Sequence, residues 1–99
     1  TGTQSVVFVV DAADRDRLAD ARAALETVAA DEQLANAAVL VLANKQDAPN
    51  AVPPAELEQL LDVQRLCGHK KWTVQPTTLT TGEGVTEAFT WLVENMVAL

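Results

Sequence analysis

Two short apolar runs without any polar alternation, Val6-Val7-Phe8-Val9-Val10 and Ala38-Val39-Leu40-Val41-Leu42-Ala43, limit what this chain can become. A strand with one wet face alternates apolar and polar residues, whereas an unbroken run of five or six is what a parallel strand covered on both faces requires. Parallel neighbours need crossovers, and the segments between and after the runs read as helices. Over residues 15–30, Leu18, Ala21, Leu25 and Val28 recur at spacings of three and four, with Arg17, Asp20 and Glu26 outward and Asp14 placed as a cap. Residues 31–37 read as a turn.

After the second run, Ala48-Pro49-Asn50-Ala51-Val52-Pro53-Pro54 must be a loop. Pro54 then fits the first turn of a helix over residues 54–61, with Leu57, Leu60 and Leu61 as its apolar face. Residues 62–71 read as irregular. A third strand is expected over residues 72–77, on an edge because Pro76 cannot donate into a ladder. A closing helix over residues 85–98 carries Val85, Ala88, Phe89, Leu92 and Met96 on one face, a stripe read as core. The fold class is α/β, a three-stranded parallel sheet with flanking helices and right-handed crossovers.

In such sheets ligands collect beyond the carboxyl ends of the strands. That rule puts Asn44, Lys45, Gln46 and Asp47, and with them Thr78, Leu79 and Thr80, on one rim. Four polar residues at a strand end are also what an ordinary turn needs, but their types suit a guanine. The N1–H and exocyclic amine of guanine lie side by side, and one carboxylate, Asp47, can accept from both. An amide, Asn44, can donate to a ring nitrogen, and the stem of Lys45 can lie across the base plane.

Three segments in order, FVVDAADRDR from Phe8, VLANKQD ending at Asp47 and TLTTGEG ending at Gly84, followed by a final helix bearing Trp91, resemble the ADP-ribosylation factor and factor-like small GTPases over nearly the whole chain. The resemblance implies the second half of a P-loop small-GTPase (Ras-like) fold, residues 1–99 forming a partial domain. Asn44, Lys45 and Asp47 would be its base-binding triad, with Gln46 at the variable position. Thr78, Leu79 and Thr80 align with the second base-contacting segment. There Leu79 departs from the small residue usual in the family: it keeps the N–H that approaches the purine carbonyl but adds bulk beside the base. GTP or GDP is thus the implied cofactor, through base contacts only. In the intact family, Mg2+, exchange factors, effectors and vesicle and protein transport follow, with cytoplasmic proteins cycling to Golgi or other endomembranes.

No Gly-x-x-x-x-Gly-Lys-Ser/Thr stretch occurs, so no loop of backbone amides cradles phosphate and no hydroxyl is set for magnesium. The switch segments and water-orienting glutamine expected in the family are likewise missing. The chain is therefore expected to supply base selection alone, at roughly millimolar affinity or weaker, and to be inactive as an isolated GTPase. Without the phosphate-loop strand, the first strand would present an edge built from Val6, Phe8 and Val10, open to self-association. The alternative is a nucleotide-independent protein-interaction module or pseudo-GTPase remnant.

Ninety-nine residues, 48% of them apolar, fit one core. A net charge of −7 argues against a nucleic-acid surface, since only Lys70-Lys71 pair. Membrane contact would run only through an amino-terminal part of the family protein, because Thr1-Gly2-Thr3-Gln4 lacks a Met-Gly acylation start. A lone Cys67 fits a reducing compartment, and His69 has no partner pattern of a nucleophile or metal centre. Asp11 reads as a helix-entry residue rather than a metal ligand. Gly82-Glu83-Gly84 reads as a turn, and Glu56 and Glu58, two apart on a helix, cannot form an acid–base pair.

Overall fold

The second apolar run becomes the centre of the molecule. In the computed structural model, which describes residues 5–32, 37–68 and 70–95, strand β2 (Ala38–Asn44) lies between β1 (Ser5–Asp11) and β3 (Trp72–Pro76), all parallel, in the order β1-β2-β3. Register runs from Ser5 opposite Ala38 to Asp11 opposite Asn44, and from Val39 opposite Trp72 to Ala43 opposite Pro76. No residue from Ala38 to Ala43 is more than 3% exposed.

Alternation along β2 feeds two cores. Val39, Val41 and Ala43 point into the larger one, with Leu25 of α1 (Leu18–Ala30), Leu57 of α2 (Pro54–Leu60) and Val63 and Cys67 of α3 (Val63–Cys67). Leu40 and Leu42 point the other way, against Ala88 and Leu92 of α4 (Val85–Asn95), with Trp91 packed beside them. Each fully buried Leu or Val contributes about 1.5–3 kcal/mol.

Two expectations fail on the α4 side. β1 is not covered on both faces: Val7 and Val9, which share a face with Leu40 and Leu42, are 41% and 53% exposed because α4 lies over β2. The exposed apolar residues of β1 are thus Val7 and Val9, whereas Val10 is buried and Phe8 is partly buried against the larger core. On α4, Ala88 and Leu92 are buried, but Phe89 and Val93 are 46% and 72% exposed. The buried seam is narrower than the apolar stripe. Met96 and His69 lie outside the described residues.

Other departures are local. Residues 15–17 form a 3-10 turn before α1, and the Asp14 side chain makes no capping bond there. Asp11 shapes that entry instead, its Oδ1 accepting the Ala13 N–H at 3.0 Å. Leu60 is exposed at the end of α2, while Leu57 and Leu61 are buried. Residues 63–67, expected to be irregular, form α3, held by Val63 and Cys67 one turn apart. Asp62 enters it in the left-handed region, φ 58°, and bonds Arg22 of α1 at 3.3 Å and Arg65 of α3. Burial pushes the Cys67 thiol up, with Lys70 opposing.

Candidate guanine-base site

Chain geometry delivers two loops to one place. β2 ends at Asn44 and β3 at Pro76, in neighbouring register, so residues 44–47 and 77–80 leave the sheet side by side. The loops are then stitched together. Thr77 donates its N–H to Ala43 O at 3.0 Å, and Gln46 donates its N–H to Thr77 O at 3.2 Å. Asn44 Oδ1 accepts the Leu79 N–H at 3.0 Å and the Thr77 hydroxyl at 3.4 Å, which leaves its Nδ2 to donate.

Gln46 also donates through Nε2 to Val52 O at 3.1 Å, anchoring the far side of the first loop. The second loop closes on itself: Thr78 bridges Glu83, its N–H donating to Glu83 O at 3.0 Å, and its carbonyl accepts from Gly82 N–H at 2.9 Å. Glycine is required at position 84, where φ is 79° and a Cβ would lie 2.1 Å from Pro76 O.

Asn44, Lys45, Asp47, Thr78, Leu79 and Thr80, the six residues expected to meet a base, line a single cavity of about 190 Å³. Asp47 and Leu79 are exposed at its rim, while Thr78 is buried. The Leu79 N–H, expected to be open toward a purine carbonyl, is engaged by Asn44. Thr78 Oγ1 is buried without a hydrogen-bond partner among the described residues. A larger concavity, about 560 Å³, opens along α4 and is lined by Val85, Thr86, Phe89, Thr90, Val93 and Glu94.

Sequence reasoning missed one participant. Asp11, at the carboxyl end of β1 and opposite Asn44, accepts from Lys45 Nζ through Oδ2 at 2.9 Å. The bond from Lys45 holds the Asp11 carboxyl below the ordinary range despite some desolvation, and the same bond raises Lys45. Lys45 itself sits in the left-handed region, φ 63°. The strand-end rule that gathers the other loops also reaches Asp11, because it closes β1 on the same rim.

Among the described residues no three His, Cys, Asp or Glu side chains gather to hold a metal ion. None of the described helices is long and apolar enough to cross a membrane.

Comparison with known proteins converges on one group. The sequence profile of the ADP-ribosylation factor family matches residues 1–96. Among solved structures, the Arl6 BBS3 small GTPase of Trypanosoma brucei with bound nucleotide analogue GppNp superposes with a TM-score of 0.90 at 31% identity, covering 94% of this chain. The chain spans 58% of the length of that structure.

Proposed function

This chain belongs to the ADP-ribosylation factor family, and we propose that its part in a GTPase is to select guanine. The observation that carries this reading is the convergence of Asn44, Lys45 and Asp47 with Thr78, Leu79 and Thr80 on one strand-end cavity. In the proposed complex Asp47 accepts from the guanine N1–H and exocyclic amine, and Asn44 donates through the Nδ2 that its loop contacts leave over. The Lys45 stem covers one face. Adenine, with an acceptor at N1, meets Asp47 wrongly.

One bidentate carboxylate contact plus partial stacking supplies a few kcal/mol, which corresponds to roughly millimolar affinity. These 99 residues contain no Gly-x-x-x-x-Gly-Lys-Ser/Thr stretch to cradle phosphate. By family membership we assign the parent activity to GTP-dependent vesicle and protein transport, with effectors and exchange factors as partners. We place that parent in the cytoplasm and on endomembranes, and the chain by itself is proposed to be inactive in hydrolysis.

The test is a titration of GDP, xanthosine diphosphate and ADP followed by amide NMR shifts, comparing wild type with Asp47→Asn. Guanine selectivity that passes to xanthine in the variant is the expected result. Equal response to all three nucleotides in both proteins overturns the assignment.

A second reading is favoured by β1, whose outer edge is unpaired among the described residues and whose Val7 and Val9 are exposed. A second copy of the chain offers both a matching strand edge and a matching apolar face, so self-association through β1 is proposed alongside base binding.

A further inference from the structure

We infer that Asp11 is a positioning residue for the base site: its carboxylate, on Lys45 Nζ at 2.9 Å, holds the lysine stem over the purine and keeps the ammonium away from Asp47. The inference rests on the guanine reading and deepens it. A lysine stem left free spreads over many rotamers and makes a poor lid. Here both ends of the stem are fixed.

At the backbone end, Lys45 is held left-handed, φ 63°, a conformation that non-glycine residues adopt at a cost and that persists only where surroundings impose it. Those surroundings are the Lys45 carbonyl accepting the Ala48 N–H at 3.0 Å and the next residue, Gln46, bonded to Thr77 O at 3.2 Å. At the ammonium end, Asp11 is itself rigid. It closes the β1–β2 ladder opposite Asn44, the following Ala12 N–H donates to Asn44 O at 3.1 Å, and Asp11 Oδ1 is occupied by the Ala13 N–H at 3.0 Å.

Charge adds a second effect. Asp14 and Asp47 also attract the Lys45 ammonium, and Asp47 is the carboxylate that has to stay open for the base. With Asp11 claiming the ammonium, Asp47 is spared. Remove the Asp11 charge and the ammonium is left to the weaker pull of Asp14 and Asp47, so the lid loosens.

The test is a double-mutant cycle on GDP affinity with Asp11→Asn, Lys45→Met and the pair, run beside the Asp47→Asn xanthine swap. Asparagine keeps an acceptor for the Ala13 N–H, so the turn survives while the charge is lost, and an unchanged amide spectrum verifies the fold. Expected is a GDP affinity about three- to fivefold weaker in Asp11→Asn, the scale of an exposed ion pair, with no further loss when Asp11→Asn is added to Lys45→Met. A structural role would not move one further signal: GDP should shift the Lys45 methylene resonances upfield by the purine ring current in wild type and much less in Asp11→Asn. Unaltered affinity in Asp11→Asn, or the same loss in the Lys45→Met background, overturns the inference while a successful xanthine swap leaves the guanine reading standing. If the swap itself fails, both fall together.

Discussion

Asn44 Oδ1 and the Leu79 N–H meet at 3.0 Å across 35 residues of sequence, and this bond fastens the end of β2 to the loop that follows β3. Asn44→Ala removes the acceptor for both Leu79 N–H and the Thr77 hydroxyl. Leaving a partly buried donor unpaired costs about 1–3 kcal/mol, so the urea midpoint should fall accordingly. Amide exchange at Leu79 should rise more than at residues of β1. Equal acceleration everywhere would place the effect in global stability rather than in the loop junction.

Gly84→Ala is the sharper structural probe. It places a methyl group 2.1 Å from Pro76 O at φ 79°, and left-handed backbone alone costs an L-residue about 1–2 kcal/mol. Thermal denaturation should show at least that loss, and the shift should be accompanied by weakening of the Thr78–Glu83 bridge that shapes the second loop. Gly82→Ala, with nothing within 4 Å of the added carbon, carries the conformational cost without the collision and should lose less.

The Asp11–Lys45 pair predicts a pH dependence with a defined sign. The Asp11 carboxyl is lowered in the folded state, first by Lys45, so its contribution is fully present above the unfolded value near 3.8 and is lost as pH falls through the folded value. Lys45 is raised, so the same pair is lost at the alkaline end as pH climbs from 10.5 through the folded value. Melting temperature of Asp11→Asn against pH should be flatter than wild type at both ends. Both side chains are substantially exposed, so about 1 M salt, with a screening length of about 3 Å, should remove most of the difference.

Sedimentation velocity tests the exposed face of β1. Wild type should show concentration-dependent association, and Val9→Lys, which puts a charge on a half-exposed position without touching the buried Val10, should abolish it at little cost in stability. Association that survives Val9→Lys would direct attention to Phe89 and Val93 on α4 instead.

Much of this architecture was legible because its signals are strong and local. Unbroken runs marked β1 and β2, Pro54 marked the start of α2, and Pro76 marked an edge. The cavity residues were legible because the strand-end rule gathers loops regardless of their distance in sequence. What escaped was either too short or too distant. α3 has five residues, fewer than two turns, so its pairing of Val63 with Cys67 leaves no readable period. The exposure of Val7 and Val9 depends on how far α4 reaches across the sheet, which a run of valines does not encode. Asp11 and Lys45 are 34 positions apart, and their pairing needs both the strand register and the left-handed turn at Lys45.

Register has a further consequence for how the molecule assembles. Val6 faces Val39 and Val39 faces Trp72, so neighbouring strands meet only after 33 positions of chain have been brought together, and the described strands form no hairpin from which the sheet could grow. Loop closure of that size is entropically expensive before any ladder bond repays it, and chains dominated by such distant contacts fold slowly. β2 has to be present before either edge strand finds a partner. Among the described strands, β1 can therefore pair only once residues 38–44 have come alongside it, so the place of its valines in the sheet is settled by β2.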